Sequence, residues 1–145
     1  MKGSASSASK SAGQPAPLPH ADSAVIEFPA GIPGFETCRR FVLVDSDELA
    51  PLCCLNALDP PQASFLTIDP LLLDPSYDLT LRDFERARLD AAGDPLLWLA
   101  IVTVTPEGAT ANLRAPIVIN PRRLVGCQFI RDDSKYPVHF PIGLG

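Results

Sequence analysis

The stretch RRFVLVDSDELAPLCCLNALDPPQASFLTID, residues 39–69, decides the fold class of this chain. It contains three runs rich in aliphatic and aromatic residues, RRFVLVD, LCCLNAL and ASFLTID, and the segments between them hold Pro and Asp residues that are typical of turns. Short apolar runs between turn signals are typical of β-strands, and their regular spacing favours antiparallel pairing. The stretch therefore predicts three consecutive strands of a β-barrel or a β-sandwich.

Similar runs continue on both sides of this stretch. AVIEF precedes it, and LLWLAIVTV, TANLRA, IVIN and LVGCQFI follow it. Pro116 lies between TANLRA and IVIN, and because proline has no N–H for a ladder, it predicts a sheet edge or a bulge. Together the runs predict a mostly β fold, and we expect a small antiparallel β-barrel.

One segment breaks the β pattern: TLRDFERARLDAAG, residues 80–93, has its apolar residues at helical spacing. Thr80, with Asp83 three residues later, has the arrangement of a capping box and predicts the beginning of a helix. Gly93 can adopt the left-handed conformation that ends a helix. We therefore predict one short helix inserted between the strands of the barrel.

The length of 145 residues and the apolar fraction of 46% suit one domain with a core. Residues 1–24 are rich in Ser, Ala and Pro and predict a disordered tail, which leaves residues 25–145 as the folded domain. The tail lacks the apolar segment of a signal peptide, and the longest apolar run, PLLWLAIVTV, is about half of the roughly 20 residues that span a membrane. We expect a cytoplasmic protein with no membrane segment.

Residue types that build catalytic and metal sites are few and scattered. The chain holds four cysteines and two histidines, namely Cys38, Cys53, Cys54, Cys127, His20 and His139. Two adjacent cysteines on a strand point to opposite faces, and neither a C-x-x-C pair nor a matched His spacing for zinc is present. The acidic clusters DSDE at 45–48 and DD at 132–133 lack the spacing of a calcium loop. We predict no catalytic residue, no metal and no cofactor, and hence a protein that is not an enzyme.

The charge is unevenly distributed along the chain, which has a formal net charge of −5. No Lys or Arg lies between Arg40 and Arg82, and this interval holds Asp45, Asp47, Glu48, Asp59, Asp69, Asp74 and Asp78. These acids are interpreted either as turn residues in solvated loops or as an acidic docking face for a basic protein, and both can hold together. After residue 24, ten basic residues are scattered among sixteen acids, which argues against binding to nucleic acid. A small oligonucleotide-binding β-barrel is the alternative function.

The segment FPAGIPGFE, residues 28–36, predicts a rigid turn. Pro33 fixes the φ angle preferred at the second position of a β-turn, and Gly34 supplies the positive φ that a type II turn needs next. Two interpretations of Ile32 and Phe35 stay open. They close one end of the barrel and pack in its core, or they form part of a surface that binds a partner protein.

Taken together and in this order, six motifs resemble the flagellar assembly factor FliW family. They are FPAGIPGFE, RRFVLVD, LDPPQASFLTIDPLLLDPSYDLTL, LAIVTV, ANLRAPIVINPRRLVGCQFI and DDSKYP, and the resemblance runs from about Val25 to Pro141. It implies a small cytoplasmic β-barrel without enzymatic activity, a chaperone-like factor that binds flagellin and also binds the RNA-binding translational repressor CsrA. Residues 1–24 depart from the family pattern, which does not require such a tail.

The resemblance further implies a partner switch, in which export of flagellin releases the factor to antagonise the repressor. We expect no direct contact with nucleic acid, and a monomer in the absence of partners. The partner-binding residues are expected among Ile32, Phe35, Asp45, Asp47, Glu48, Asp74 and Asp78.

Overall fold

The structure, a computed structural model, describes residues 24–131 and 135–143. Within these ranges the chain forms nine strands, one 3₁₀ turn and one short α-helix. The strands are β1 (Ile26–Glu27), β2 (Arg40–Asp45), β3 (Cys53–Ala57), β4 (Ser64–Ile68), β5 (Leu97–Thr105), β6 (Gly108–Ala111), β7 (Ile117–Asn120), β8 (Val125–Gln128) and β9 (Phe140–Ile142). The 3₁₀ turn spans Pro70–Leu72 and the helix α1 spans Asp83–Arg88. The predicted mostly β fold with one short helix is confirmed.

Seven of the described strands close into a barrel, in the order β4-β3-β2-β1-β8-β7-β5, with β5 returning to β4. Strands β6 and β9 extend the sheet from the second half of β5. The three strands predicted from residues 39–69 are β2, β3 and β4, and they pair with their neighbours in sequence as an antiparallel meander. The barrel prediction is confirmed, and the sandwich interpretation is not.

Pairing departs from a purely antiparallel pattern at one place in the described sheet. β1 is antiparallel to β2 but parallel to β8, where Glu27 pairs with Val125. The N–H of Glu27 donates to the carbonyl of Leu124 at 2.9 Å. Because β1 and β8 are far apart in sequence, no local turn signal could have indicated this contact.

The two halves of the long strand β5 pair with different strands. Leu97 to Leu99 pair with β7, while Val102 to Thr105 pair with β6. The predicted strand TANLRA accordingly ends early, because the Asn112 side chain accepts hydrogen bonds from the N–H groups of Arg114 and Ala115 and turns the chain. Pro116 follows this turn, in the interruption between β6 and β7. It therefore marks a break in pairing along β5, as a proline in a sheet predicts.

Alternate residues of β5 and β7 face two different apolar clusters, as the two-residue period of a strand requires. The cluster inside the barrel, which we call the barrel core, contains Ile26, Phe28, Ile32, Cys38, Phe41, Leu43, Leu55, Ala57, Leu99, Ile117 and Ile119. The cluster on the opposite face of these strands, which we call the outer core, contains Ile68, Tyr77, Leu89, Ala91, Trp98, Ala100, Val102, Ala109, Ala111, Leu113, Val118, Cys127, Phe129 and Tyr136. A sheet buried on both faces explains why residues 117–119 of β7, Ile-Val-Ile, are apolar without alternation.

Helix α1 is present, but its predicted ends are wrong. The Thr80 hydroxyl donates to the carboxylate of Asp78 at 2.6 Å, and the capping position is occupied by Arg82 instead of Thr80. The helix begins at Asp83, and the Glu85 carboxylate accepts a hydrogen bond from the N–H of Arg82 at 2.8 Å. It ends at Arg88, and the first residue after it with a positive φ is Asp90 (53°), three residues before Gly93 (106°).

The predicted boundary between the tail and the folded domain falls at the edge of the described residues. The predicted tail, residues 1–24, lies outside the described residues except for Ala24, whose exposed fraction is 7%. Ala24 therefore belongs to the packed domain. His20 and the acidic pair at 132–133 also lie outside the described residues. No helix in the described part of the chain is long and apolar enough to cross a membrane.

Candidate functional site

The turn at residues 28–36 packs its apolar side chains on the barrel core. The N–H of Phe35 donates to the carbonyl of Ile32 at 2.6 Å, and Gly34 between them has a φ of 89°, as the sequence predicts for a type II turn. Ile32 is only 2% exposed and belongs to the barrel core. Phe35 is half-buried, with its ring edge against Phe65 at a centroid distance of 5.2 Å. The burial of Ile32 favours the structural interpretation of this turn, and Phe35 alone of the pair keeps an accessible side chain.

Three of the predicted acidic residues come together at the connection between β2 and β3. Asp45 is the last residue of β2, and Asp47 and Glu48 follow in a turn closed by the bond from the Leu49 N–H to the Ser46 carbonyl at 3.1 Å. All three acidic side chains are exposed. We call Asp45, Asp47 and Glu48 the acidic turn.

Asp74 and Asp78 lie in a different loop, between the 3₁₀ turn and α1, and each has local hydrogen-bond partners. The Asp74 carboxylate accepts from the N–H of Ser76 at 2.9 Å. The Asp78 carboxylate accepts from the hydroxyl and the N–H of Thr80, and these bonds hold the pKa of Asp78 below its ordinary value. Both acids therefore shape the turns in which they lie.

Asp59 and Asp69 are also engaged locally. The carboxylate of Asp59 accepts from the N–H groups of Arg39 and Arg40 and pairs with the Arg40 guanidinium at 2.9 Å, which lowers the pKa of Asp59. Asp69 caps the 3₁₀ turn by accepting from the N–H of Leu71. Thus the turn interpretation suits four of the seven acids, and the acidic turn is the part of the stretch that presents exposed carboxylates side by side.

The outer core contains an arginine that sequence reasoning did not single out. The guanidinium of Arg131 lies 5.2 Å from the ring centroids of Tyr77 and Trp98 and 5.7 Å from that of Tyr136. Its side chain is 14% exposed and also donates to the carbonyl of Asp78. Cation–π contacts of this kind strengthen as the cation is removed from water. The motif LVGCQFI predicted the strand that leads to Arg131, but no local pattern relates residue 131 to residues 77, 98 and 136.

A groove of about 280 Å³ opens beside Arg131 and α1. Its apolar lining includes Leu81, Trp98, Phe129 and Ile130, and its polar lining includes Arg82, Glu85 and Arg131. Ile130 is 61% exposed, and Phe84 of α1, whose ring lies 5.1 Å from the Arg82 guanidinium, is 58% exposed. These are two of the four most exposed large apolar side chains in the described ranges. We call Phe84, Ile130 and the lining residues the α1 groove.

The four cysteines are free thiols that are buried or partly buried. Burial raises the pKa of Cys53 to about 11 and also raises the pKa of Cys127, which disfavours the thiolate that acts as a nucleophile or a metal ligand. Within residues 24–131 and 135–143, no three His, Cys, Asp or Glu side chains are grouped as a metal ion would require.

The amino-acid sequence of the chain is similar to those of known proteins. The family model described as FliW protein matches residues 13–142. The flagellar assembly factor FliW of Syntrophus aciditrophicus (strain SB) is 36% identical over 124 residues, which cover 83% of this chain and 78% of that protein. Its counterpart in Caldanaerobacter subterraneus subsp. tengcongensis is 36% identical over 122 residues, which cover 81% of each.

The likeness extends to three dimensions. A crystal structure of the flagellar assembly factor FliW matches with a TM-score of 0.75 at 30% sequence identity, over 88% of this chain and 93% of that one. These relatives are named as assembly factors rather than as enzymes. The chain therefore belongs to the FliW family of flagellar assembly factors.

Proposed function

We propose that this protein is a cytoplasmic, non-enzymatic factor that binds flagellin and also binds and antagonises a CsrA-type translational repressor. The observation that carries the proposal is family membership over nearly the whole described domain. In this role the factor acts as a chaperone-like partner of flagellin before export. Once flagellin has been exported, the released factor binds the repressor, so that synthesis of flagellin follows export.

The scheme needs only competing equilibria. A partner present at about 100 times its dissociation constant shifts the balance by about 2.7 kcal/mol, which is sufficient to redistribute a small factor between two proteins. No covalent step enters. The free factor is a monomer in this proposal.

The acidic turn supports the repressor part of the proposal. A protein that grips RNA does so largely with Lys and Arg, so its RNA-binding surface is basic. Asp45, Asp47 and Glu48 offer exposed negative charge in one turn, on a chain with a net charge of −5. Complementary fields of this kind mainly raise the association rate and enforce the choice of partner.

Binding assays with purified components test the proposal directly. The full chain is titrated against monomeric flagellin and against the repressor, and a labelled flagellin messenger is used in a shift assay with the repressor. We expect complexes with both proteins and relief of the repressor's RNA shift by the full chain. Binding to neither protein would refute the proposal, and a direct shift of the RNA by the chain itself would favour the oligonucleotide-binding alternative.

Neutralising the acidic turn tests the role of its charge. We expect Asp45→Asn, Asp47→Asn and Glu48→Gln together to slow association with the repressor and to flatten its salt dependence between about 50 and 300 mM. Dissociation should change less, and the free energy of unfolding should stay within about 0.5 kcal/mol because the three side chains are exposed.

The matched control removes three acids elsewhere, with Glu27→Gln, Asp90→Asn and Glu107→Gln. It changes the net charge equally, and these side chains are also exposed. Equal slowing by both triple variants would assign the effect to net charge, and would remove the acidic turn from the proposed mechanism.

A further inference from the structure

We infer that the segment between β4 and β5 is a lid that opens as a unit over the outer core while the seven-stranded barrel stays closed. This segment, residues 69–96, contains the 3₁₀ turn and α1, and we call it the strap. Opening of one part of a fold is expected where that part is attached weakly and can detach without disrupting the rest.

The strap can detach without breaking a strand ladder, because none of residues 69–96 lies in a strand. The strap begins after β4 and ends before β5, and these two strands pair directly with each other. Ile68 lies opposite Ala100, and Thr67 lies opposite Ile101. The barrel itself therefore holds the two ends of the strap close together, and the hydrogen bonds of its ladders stay intact when the strap opens.

The strap contributes to one of the two apolar cores and not to the other. The outer core includes Tyr77, Leu89 and Ala91 from the strap. In the described ranges, the barrel core and the partly buried apolar residues packed against it include no residue of the strap. Opening of the strap therefore uncovers the outer core, whereas the barrel core keeps its buried apolar surface and the stabilisation that this surface provides.

Two grooves lie on the border between the strap and the barrel. The α1 groove has Leu81 of the strap and Trp98 of β5 in its lining. A second groove, also of about 280 Å³, has Arg88 of the strap and Cys127 of β8 in its lining. At both places the strap is not close-packed against the strands, and the missing van der Waals contacts weaken its attachment.

Polar side chains fasten the strap at separate points. The Tyr77 hydroxyl donates to the Leu113 carbonyl at 2.6 Å, and the Asn120 amide donates to the Leu89 carbonyl at 3.0 Å. Each such bond contributes only modestly to stability, because in the open state the same groups bind water instead. We therefore expect the strap to open at a smaller cost in free energy than unfolding of the barrel.

Each core contains a buried thiol, so cysteine labelling can distinguish the two openings. Cys127 belongs to the outer core and Cys38 to the barrel core. The full chain is treated with iodoacetamide at several low urea concentrations, in the range where the rate is proportional to the reagent. Peptide mass spectrometry gives the initial rate at each thiol and separates both from Cys53 and Cys54. Rates of the urea-unfolded chain correct for intrinsic reactivity.

We expect Cys127 to react at least about tenfold faster than Cys38, because opening of the strap precedes global unfolding. The rate at Cys127 should also rise less steeply with urea, because less surface is exposed when only the strap opens. Equal rates with equal urea slopes at the two thiols would overturn the inference, and so would faster reaction of Cys38.

Two variants sharpen the test. Ile26→Val removes one methylene group from the barrel core, and Tyr77→Phe removes one hydrogen bond of the strap. We expect Ile26→Val to speed labelling of Cys38 about fivefold and to leave Cys127 within about 1.5-fold, because the barrel stays folded when the strap opens. Tyr77→Phe should speed both thiols about fivefold, since its bond is lost in either opening. Equal acceleration of both thiols by Ile26→Val would mean that one global event exposes them, and would overturn the inference.

Discussion

The barrel core and the outer core share strands β5 and β7 but are stabilised differently. The aromatic residues of the barrel core are phenylalanines, with the rings of Phe28 and Phe41 edge to face at a centroid distance of 4.8 Å. In the outer core two of the four aromatic residues are tyrosines whose hydroxyl groups form hydrogen bonds: the Tyr77 hydroxyl donates to the Leu113 carbonyl at 2.6 Å, and the Tyr136 hydroxyl accepts from the Asp78 N–H at 2.8 Å.

The difference follows from what covers each core. The barrel core is enclosed by strands, whose N–H and C=O groups pair with each other in the ladders, so its side chains need only fill space. The outer core is covered largely by the irregular chain between β4 and β5, whose backbone groups lack ladder partners. Side chains provide the missing hydrogen-bond partners instead. For example, the buried amide of Asn120 donates to the Leu89 carbonyl at 3.0 Å. Irregular coverage therefore requires polar residues within an apolar cluster.

The largest effect is expected from a cavity in the barrel core. Phe41 is fully buried, so Phe41→Ala should lower the free energy of unfolding by about 3–5 kcal/mol, through lost burial and an unfilled cavity. Urea unfolding followed by the fluorescence of the single tryptophan, Trp98, measures it. A loss below about 1 kcal/mol would mean that the barrel can collapse around the cavity, and would contradict close packing there.

A smaller loss is expected from overpacking the same core. A Cβ at Gly126 would lie 2.5 Å from Cζ of the buried Phe28 ring, so Gly126→Ala should cost about 1–3 kcal/mol. Gly143→Ala is the matched control, because nothing lies within 4 Å of a Cβ there. If both substitutions shift the urea midpoint equally, contact with Phe28 is not the cause.

The smallest of the three effects should come from the polar side of the outer core. Tyr77→Phe leaves the Leu113 carbonyl without its hydroxyl donor but opens no cavity, so a loss of about 1 kcal/mol is expected. A loss as large as that of Phe41→Ala would contradict the distinction between the two cores.

The same variant has a signature in alkaline solution. Burial raises the pKa of Tyr77 to about 12 from its ordinary value of 10.0, so the folded state favours the neutral phenol. The resulting stabilisation is complete below about pH 10 and is lost as pH rises towards 12. Between these values the unmodified protein should lose more stability than Tyr77→Phe, and parallel losses would show that Tyr77 ionises as easily folded as unfolded.

Local sequence patterns were sufficient to predict the strands, but they were insufficient to predict the contacts between residues far apart in sequence. The meander of β2, β3 and β4 followed from turn residues and apolar runs, because neighbours in sequence pair directly. The parallel contact of Glu27 with Val125 and the position of Arg131 over three rings depend on residues far apart in sequence. No period or spacing encodes such contacts.

Sequence reasoning misplaced the beginning of the helix. Thr80 was predicted to cap it, but the helix begins at Asp83, Arg82 occupies the capping position, and Glu85 provides the capping carboxylate. A capping motif does not show which of several neighbouring residues takes that position. For Ile32 the sequence left two interpretations open, and its burial in the barrel core favours the structural one.

The packing of strand β5 limits the insertions and deletions that this chain can tolerate. Trp98 faces the outer core and Leu99 the barrel core, so deleting one residue between Leu97 and Val102 would move the β5 side chains on one side of the deletion from each cluster to the other. A substitution in β5 perturbs one of the two cores, whereas a change in the length of β5 perturbs both the barrel core and the outer core.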